Sequence, residues 1–269
     1  MTLIISLSGR KQAGKNTACN FIVSEFLKHR FEEYDDLYIN SKNGYIMDDK
    51  EYDGSDEESN IFCKQVTNQF ENLGVKVYSF ADELKRFCMD VLGVPFEGCY
   101  GTDEQKNTPI PHLLWDNLPR EIVPYTIKKT EEEYVEFSGT IRPPVEYNEY
   151  RTGPMTGREV MQIFGTEVCR KFYGDCWVRA TMNAIKRDNL KLALVCDGRF
   201  PNEIEFGKKY NTKVVRLLRK VFEDNHSSEI ALDNYPLANY DLVVDNSELS
   251  IDETCKAMSE KITEWMKSI

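Results

Sequence analysis

The sequence predicts an α/β fold built on a mainly parallel sheet. Five short apolar runs have the length of buried strands, and helical patterns separate most of them. A glycine-containing loop joins the first apolar run to the first helical pattern. The 269 residues are enough for one large domain, 1–269, that carries insertions.

The first predicted element is a buried strand that leads into a helix. Residues 3–7 form an apolar run that ends before Gly9, a pattern typical of a parallel strand. Apolar residues then recur at helical spacing, at Ala18, Phe21, Ile22 and Phe26. The acidic residues 35–72 break this rhythm, and we interpret them as an insertion.

A second strand and helix precede an irregular region. The strand is predicted over residues 75–81, and the helix after it is expected to bury Leu84, Phe87, Cys88, Val91 and Leu92. Residues 134–141 predict a small hairpin that turns at Ser138 and Gly139. We interpret residues 103–150 as a second insertion.

Strands and helices alternate regularly from Thr156 onward. Helices are predicted over 157–172, 177–187 and 201–209, and strands over 192–196, 214–218 and 242–244. Ser250 and Glu253 have the spacing of a capping box, which predicts a last helix. Its inward positions are Ile251, Cys255, Met258, Ile262 and Trp265.

The net charge of −11 is concentrated in one segment. Residues 32–58 contain eleven acids and two bases, so the rest of the chain is close to neutral. A duplex-DNA binder needs a basic face, and that class is therefore disfavoured. No apolar run is long enough for a membrane helix or a signal sequence, which predicts a soluble, unprocessed, cytoplasmic protein. Eight scattered cysteines without a C-x-x-C pair predict reduced thiols.

The most specific motif is SGRKQAGKNT, residues 8–17. Gly9 and Gly14 bracket four residues and Lys15 follows, directly between the first strand and its helix. Such glycines let successive backbone N–H groups face phosphate oxygens, while the helix N-terminus and the lysine add positive charge. The motif predicts a phosphate-binding loop with Lys15 as a catalytic cation. The loop residues expected to bind a nucleotide are Gly9, Ala13, Gly14, Lys15, Asn16 and Thr17.

The surroundings of the third strand favour phosphoryl transfer over hydrolysis. Asp197 ends that strand without the adjacent Glu that often activates water, and no N-K-x-D guanine motif occurs. Asp197 is predicted to orient an acceptor or a magnesium-bound water. Arg219 follows the fourth strand and is predicted to neutralise charge on the transferring phosphoryl group. Asn246, after the fifth strand, either contacts adenine or closes a turn.

Several polar side chains predict a site for a second phosphorylated ligand. Four polar residues, each four positions apart, form a stripe along one face of the predicted helix 157–172. The alternative interpretation is that this face is simply exposed to solvent. Trp177 offers a ring for base stacking, and Asp82, Lys85, Arg199 and Glu203 follow strand ends, where open parallel sheets bind ligands. Glu203 has the alternative role of favouring its own helix N-terminus. The stripe consists of Arg158, Gln162, Thr166 and Arg170.

These motifs together resemble the phage deoxynucleoside monophosphate kinase family of P-loop kinases. The resemblance covers the loop, F-A-D-E-L-K (80–85), R-x-x-M-Q-x-x-G-T-E (158–167), Trp177, D-x-R-x-x-x-E (197–203) and D-N-S-x-L-S (245–250). It implies a three-layer sandwich with a five-stranded parallel sheet and inserted substrate-covering or lid regions. It also implies ATP and Mg²⁺ as cofactors and a deoxynucleoside monophosphate (dNMP) as acceptor, in the host cytoplasm if the protein is phage-encoded.

The resemblance also assigns roles to individual residues. It implies that Thr17 of the G-K-x-T loop is the Mg²⁺ ligand and that Lys11 belongs to the acceptor site. The other acceptor residues that it implies are Lys85, Arg158, Trp177, Asp197, Arg199 and Glu203. Gln12 is a departure, because a basic residue occurs there in the family.

Three alternatives remain open at the level of sequence. One is a kinase of another phosphorylated small molecule, similar to dephospho-coenzyme A kinase. Another is a P-loop ATPase that acts as a switch. The third is an adaptor whose acidic segment mimics nucleic acid. The accepted base and the oligomeric state, including a homodimer, are also open.

Overall fold

The computed structural model describes residues 2–47, 70–129, 134–135, 141–142, 146–221 and 230–269. Its contacts divide the chain into two compact units. The first unit comprises Met1–Glu83 and Asp175–Ile269, and the second comprises Leu84–Gly174.

Thirteen strands occur in the described residues. In chain order they are β1 (Leu3–Ser8), β2 (Tyr38–Ile39), β3 (Ile46–Met47), β4 (Val75–Tyr78), β5 (Pro109–Leu114), β6 (Tyr125–Lys129), β7 (Tyr134–Val135), β8 (Ile141–Arg142), β9 (Glu146–Tyr150), β10 (Pro154–Thr156), β11 (Leu192–Gly198), β12 (Lys213–Leu217) and β13 (Leu242–Val244).

The α-helices of the described residues are α1 (Lys15–Arg30), α2 (Asp82–Asp90), α3 (Phe96–Tyr100), α4 (Asp103–Lys106), α5 (Gly157–Gln162), α6 (Cys176–Asp188), α7 (Pro201–Lys208) and α8 (Ile251–Met266). A π-helical segment, Ile163–Arg170, continues α5. Short 3₁₀ turns occupy Glu32–Tyr34, Phe70–Leu73, Trp115–Asn117 and Leu237–Asn239.

The first unit is built on a five-stranded sheet in the order β13-β12-β1-β11-β4. Every neighbouring pair is parallel, and Ser8 at the end of β1 lies between Gly198 of β11 and Arg216 of β12. Because β1 is the central strand, the loop that follows it leaves the middle of the carboxyl edge of the sheet.

Alternate residues of the strands belong to two apolar cores, one on each face of the sheet. Ile5 and Leu7 pack with α1 and α8, whereas Ile4 packs with α6 and Phe206 of α7. This alternation follows from the two-residue period of a strand. Helices therefore cover both faces, and the predicted three-layer α/β fold is confirmed.

The second predicted strand and helix are shorter than the sequence indicated. The strand β4 ends at Tyr78, because the backbone N–H of Ser79 donates instead to the carboxylate of Asp82, at 2.9 Å. The helix α2 ends at Asp90, and Val91, which we expected to be buried, is 65% exposed. Cys88 is fully buried, and Leu84, Phe87 and Leu92 are partly buried as part of the second unit's core.

The predicted helix over 157–172 changes its hydrogen bonding midway. Gly157–Gln162 is α-helical, and Ile163–Arg170 is π-helical, with bonds that span five residues. The periodicity used for the polar stripe holds only for the first part. Val168, an apolar residue of the π-helical part, is exposed.

The predicted insertions contain regular structure where they are described. β2 and β3 pair as a hairpin, and Leu37 and Ile46 belong to the core around α1. In the second unit β6 pairs with β9 and β7 with β8, which confirms the small hairpin. The turn of this hairpin, at 138–139, lies outside the described residues. So does the segment 48–69, which contains most of the acidic residues of 32–58.

The second unit has its own apolar core. Cys88, Ile110, Trp115, Met155 and Val160 are buried together in it. The seven cysteines of the described ranges are free thiols. Within the same ranges, none of the helices combines the length and apolarity needed to span a bilayer.

Candidate active site

The loop after β1 forms a tight turn around two left-handed residues. Gln12 has φ +59° and Gly14 has φ +92°, and the N–H of Ala13 donates to the carbonyl of Arg10 at 3.2 Å. Left-handed residues alternating with others turn successive N–H groups toward one concave side, a backbone nest that suits anions. Gly9 is needed for close packing, since a Cβ there would lie 3.1 Å from the carbonyl oxygen of Leu217.

Lys15 lies over this loop. Its side chain is only 8% exposed, and Nζ donates to the carbonyl oxygens of Gly9 and Arg10, both at 2.7 Å. The ammonium group is thereby placed above the loop backbone at the N-terminus of α1. Asn16 and Lys11 are exposed beside it. A lysine, a nest and a helix N-terminus at one point provide concentrated positive charge.

Thr17 lies against a turn that the sequence did not connect with the loop. Gly44 has φ +75°, and a Cβ there would lie 2.7 Å from Thr17 Cγ2 and closer still to its hydroxyl. Asn20 Nδ2 donates to the carbonyl of Gly44 at 2.9 Å, which holds the turn on α1. Gly44 falls in the predicted insertion, and the only sequence signal at this position is that it is a glycine, a residue that adopts left-handed conformations readily.

Asn246 connects three segments at the carboxyl edge. Its Nδ2 donates to the carbonyl of Ala13 at 2.9 Å, and its Oδ1 accepts from the backbone N–H of Arg219 at 3.0 Å. Arg219 in turn donates from Nε to the carbonyl of Asn246 at 2.9 Å and from Nη2 to that of Leu249. The structure thus places the Arg219 guanidinium on the loop that follows β13. Its predicted catalytic role stays a prediction.

Two further arginines lie near the start of the loop, one within the loop and one in β12. Arg10 pairs with Asp233, with Nε to Oδ1 at 3.2 Å, and this hydrogen bond holds the pKa of Asp233 below its usual range. Arg216 of β12 is 5% exposed and donates to Ser8 Oγ at 3.1 Å. Burial lowers the pKa of Arg216. No sequence pattern indicated the Arg10–Asp233 pair, whose members are 223 positions apart.

Asp197 joins the ends of β11 and β4. Its carboxylate accepts from Ser79 Oγ at 2.5 Å, from the N–H of Phe80 at 2.7 Å and from that of Ala81 at 3.3 Å. Three donors fix both the carboxylate and the turn that leads into α2. Asp82 supports the same turn through Ser79. Whether Asp197 also orients a substrate stays a prediction.

Glu203 caps α7. Its Oε2 accepts from the backbone N–H groups of Arg199 at 2.7 Å and Phe200 at 3.0 Å, and the side chain is buried. This is the helix-terminus role that the sequence left open beside acceptor binding. Trp177, half-buried, lies in the first turn of α6. Asp175, just before that helix, accepts from Asn202 Nδ2 at 3.0 Å.

The second unit holds the remaining predicted acceptor residues. Lys85 Nζ lies 4.2 Å from the centre of the Tyr100 ring, and Arg158 Nη2 pairs with Asp103 Oδ1 at 2.7 Å. Arg158 Nε is buried and has no hydrogen-bond partner among the described residues. Lys85 and Arg158 therefore contact the α3–α4 region.

The rest of the polar stripe lies at the α5–π junction and beyond. Gln162 and Thr166 are exposed and Arg170 is half-buried. Gly165 packs on Leu84, because a Cβ there would lie 2.7 Å from Leu84 Cδ2. The acceptor roles of this stripe stay predictions about the second unit.

In the first unit the structure brings together most of the predicted nucleotide-binding residues. The loop, Asp82, Arg199 and Arg219 follow strands at one edge of the sheet, and Asp197 is the next-to-last residue of β11 at that edge. Within the described ranges, no cluster of three or more His, Cys, Asp or Glu side chains could hold a metal. A magnesium ion bound to a nucleotide takes most of its ligands from phosphate and water and needs only one or two protein oxygens. The Thr17 hydroxyl at the loop fits that requirement.

The central strand, the glycine-bearing loop and the helix after it define a three-layer α/β fold consistent with a P-loop kinase. No protein-family model matches the chain. The chain is similar to a protein of Acanthamoeba polyphaga mimivirus named "Putative deoxynucleotide monophosphate kinase". The two are 27% identical over 180 residues, which make up 66% of this chain and 78% of that protein.

Proposed function

We propose that this protein transfers the γ-phosphoryl group of ATP to a deoxynucleoside 5′-monophosphate, which yields ADP and a deoxynucleoside 5′-diphosphate. The single observation that carries the proposal is the loop at the centre of the sheet, with Lys15 buried over a left-handed nest. This combination of backbone donors, helix N-terminus and ammonium suits a polyphosphate chain. The name of the mimivirus relative supports the same class of reaction.

The donor nucleotide would bind through residues Gly9 to Thr17. Gly14 and the first turn of α1 offer N–H groups to its phosphates, and Lys15 exchanges carbonyl contacts for phosphate contacts. Thr17 would hold Mg²⁺, which when bound neutralises charge on the phosphate oxygens. Arg219, anchored on the loop after β13, would extend the positive field at the same edge.

The acceptor would bind at the same edge of the first unit. Lys11 and Arg199 offer cations, and Trp177 offers a ring face for a base. Asp197 and Asp82 would act through the turn that they hold rather than by taking up a proton. A phosphate monoester is already anionic near neutral pH, so no general base is required. Catalysis would rest on positioning and charge neutralisation.

Transfer is favoured over hydrolysis by the environment of Asp197. Its carboxylate is engaged by three donors, and the next residues are Gly198 and Arg199 rather than a glutamate. Hydrolysis needs a group that positions water. We therefore expect ADP to form only when an acceptor is present. We place this activity in the cytoplasm, on two small-molecule substrates and without duplex nucleic acid or a membrane.

The test is a coupled-enzyme assay of ADP formation with ATP, Mg²⁺ and each common ribo- and deoxyribonucleoside monophosphate. We expect acceptor-dependent turnover with at least one deoxynucleotide. Lys15→Ala should lower kcat/KM by at least about a hundredfold, because it removes a cation from the transferring group. Lys186→Ala, an exposed lysine on α6, is the matched control and should behave as wild type. ADP formation that does not depend on the acceptor, or near-normal turnover by Lys15→Ala, contradicts the proposal.

A further inference from the structure

The side chain of Asn246 is 1% exposed and is fully engaged at both ends. The orientation of its amide follows from its partners. The carbonyl of Ala13 can only accept and the N–H of Arg219 can only donate, so Nδ2 must face the loop and Oδ1 must face Arg219. A flip of the amide would break both bonds. Asn246 is therefore a fixed link between the loop after β13, the start of the segment after β12 and the phosphate-binding loop.

We propose that Asn246 is a positioning residue that aims the Gly14 N–H group at bound phosphate. Ala13 and Gly14 share one peptide unit, which is planar and trans. In such a unit the C=O and N–H vectors point in opposite directions. By holding the Ala13 oxygen at 2.9 Å, Asn246 turns the Gly14 N–H away from itself, toward the concave side of the loop. This inference rests on the proposed phosphate-binding role of the loop.

Gly14 makes such a hold necessary. A glycine at φ +92° has no side chain to restrict its backbone, so the peptide before it rotates at small energetic cost. A Cβ at Gly14 would lie 3.5 Å from Asn246 Nδ2, which shows how closely the amide packs on this peptide. The partner contact with Arg219 prevents the amide from following such a rotation. The loop is thereby held ready for phosphate before a ligand arrives.

Asn246→Asp separates this role from simple packing. The carboxylate has nearly the same shape and keeps an oxygen for the Arg219 N–H, but it replaces the donor to Ala13 with an oxygen. Two oxygens then face each other, and the Ala13–Gly14 peptide is pushed out of its orientation. We expect the affinity for ADP to fall about tenfold or more. The KM of the phosphoryl acceptor should change less than about twofold, since the donor site alone is altered.

The experiment is calorimetric titration of ADP with Mg²⁺ into wild type, Asn246→Asp and the control Asn189→Asp. Asn189 is exposed in a left-handed C-cap, where Asp is tolerated, so the control adds the same charge away from the loop. All titrations are made at a temperature where circular dichroism shows each variant folded. Weakened ADP binding by Asn246→Asp, with wild-type affinity in Asn189→Asp, supports the inference.

A folded Asn246→Asp variant that binds ADP as wild type does would overturn the inference, because a purely structural role predicts lower thermal stability only. Should that variant not fold, Asn246→Ala removes the same donor without adding charge and is judged by the same two outcomes. Binding is measured without turnover. Wild type that binds ADP yet phosphorylates no deoxynucleotide would defeat the proposed function and leave this inference standing.

Discussion

Replacement of Gly44 by alanine should damage the site through Thr17, and a second glycine provides a matched control. Gly44 and Gly153 have nearly the same left-handed conformation, with φ +75° and +80°. A Cβ at Gly153 meets nothing within 4 Å, whereas a Cβ at Gly44 collides with the Thr17 side chain. Both variants carry the same backbone penalty of about 1–2 kcal/mol. The collision adds about 1–3 kcal/mol of overpacking at Gly44 alone.

The assay compares chemical denaturation and magnesium dependence of the two variants. We expect Gly44→Ala to lose about 2–5 kcal/mol of unfolding free energy and Gly153→Ala about 1–2 kcal/mol. Gly44→Ala should also need more Mg²⁺ for half-maximal ADP formation, because the Thr17 hydroxyl is displaced. Equal losses of stability in the two variants, or an unchanged magnesium requirement in a destabilised Gly44→Ala, would contradict this prediction.

Two further predictions concern stability rather than activity. Burial alone would raise the pKa of Asp188, but hydrogen bonds from Lys76 and Tyr78, both at 2.9 Å, outweigh it and lower that pKa. Asp188→Asn should therefore cost about 1–3 kcal/mol at neutral pH, and the gap from wild type should close as pH falls below about 4, through the lowered folded-state pKa. Urea denaturation between pH 2 and about 7 measures this, and a gap independent of pH would contradict it. Ser250→Ala removes the side-chain acceptor for the Glu253 N–H and should lower stability by about 1 kcal/mol without changing kcat/KM. A thermal unfolding curve and one kinetic series check both parts, and a loss of activity at unchanged stability would speak against a simple cap.

The sheet was predictable because its signals are local. All five strands of the parallel sheet have apolar runs that end near the observed bounds, and the last helix begins at its capping box. The phosphate-binding loop was predictable for the same reason, since strand, glycines and lysine are adjacent in sequence. Val91 was misplaced because the apolar periodicity continues past Asp90, where α2 ends, and Val91 lies in the exposed turn that follows.

The parts of the site that depend on distant residues were not predictable from one sequence. From the sequence, Asn246 is a candidate turn residue. Only the fold shows that its amide donates a hydrogen bond to Ala13, 233 positions earlier. Gly44 lies in a polar stretch whose packing on α1 has no periodic signal. The π-helical segment was also missed, because the apolar pattern of residues 157–172 has no feature that distinguishes hydrogen bonds spanning five residues from those spanning four.

The most direct test of the proposed function follows the phosphoryl group itself. The protein is incubated with ATP labelled with ³²P in its γ-phosphoryl group and a mixture of the common deoxynucleoside monophosphates, and the products are separated by chromatography. We expect the label in a deoxynucleoside diphosphate. Label found only in inorganic phosphate, or left entirely in ATP, would contradict it.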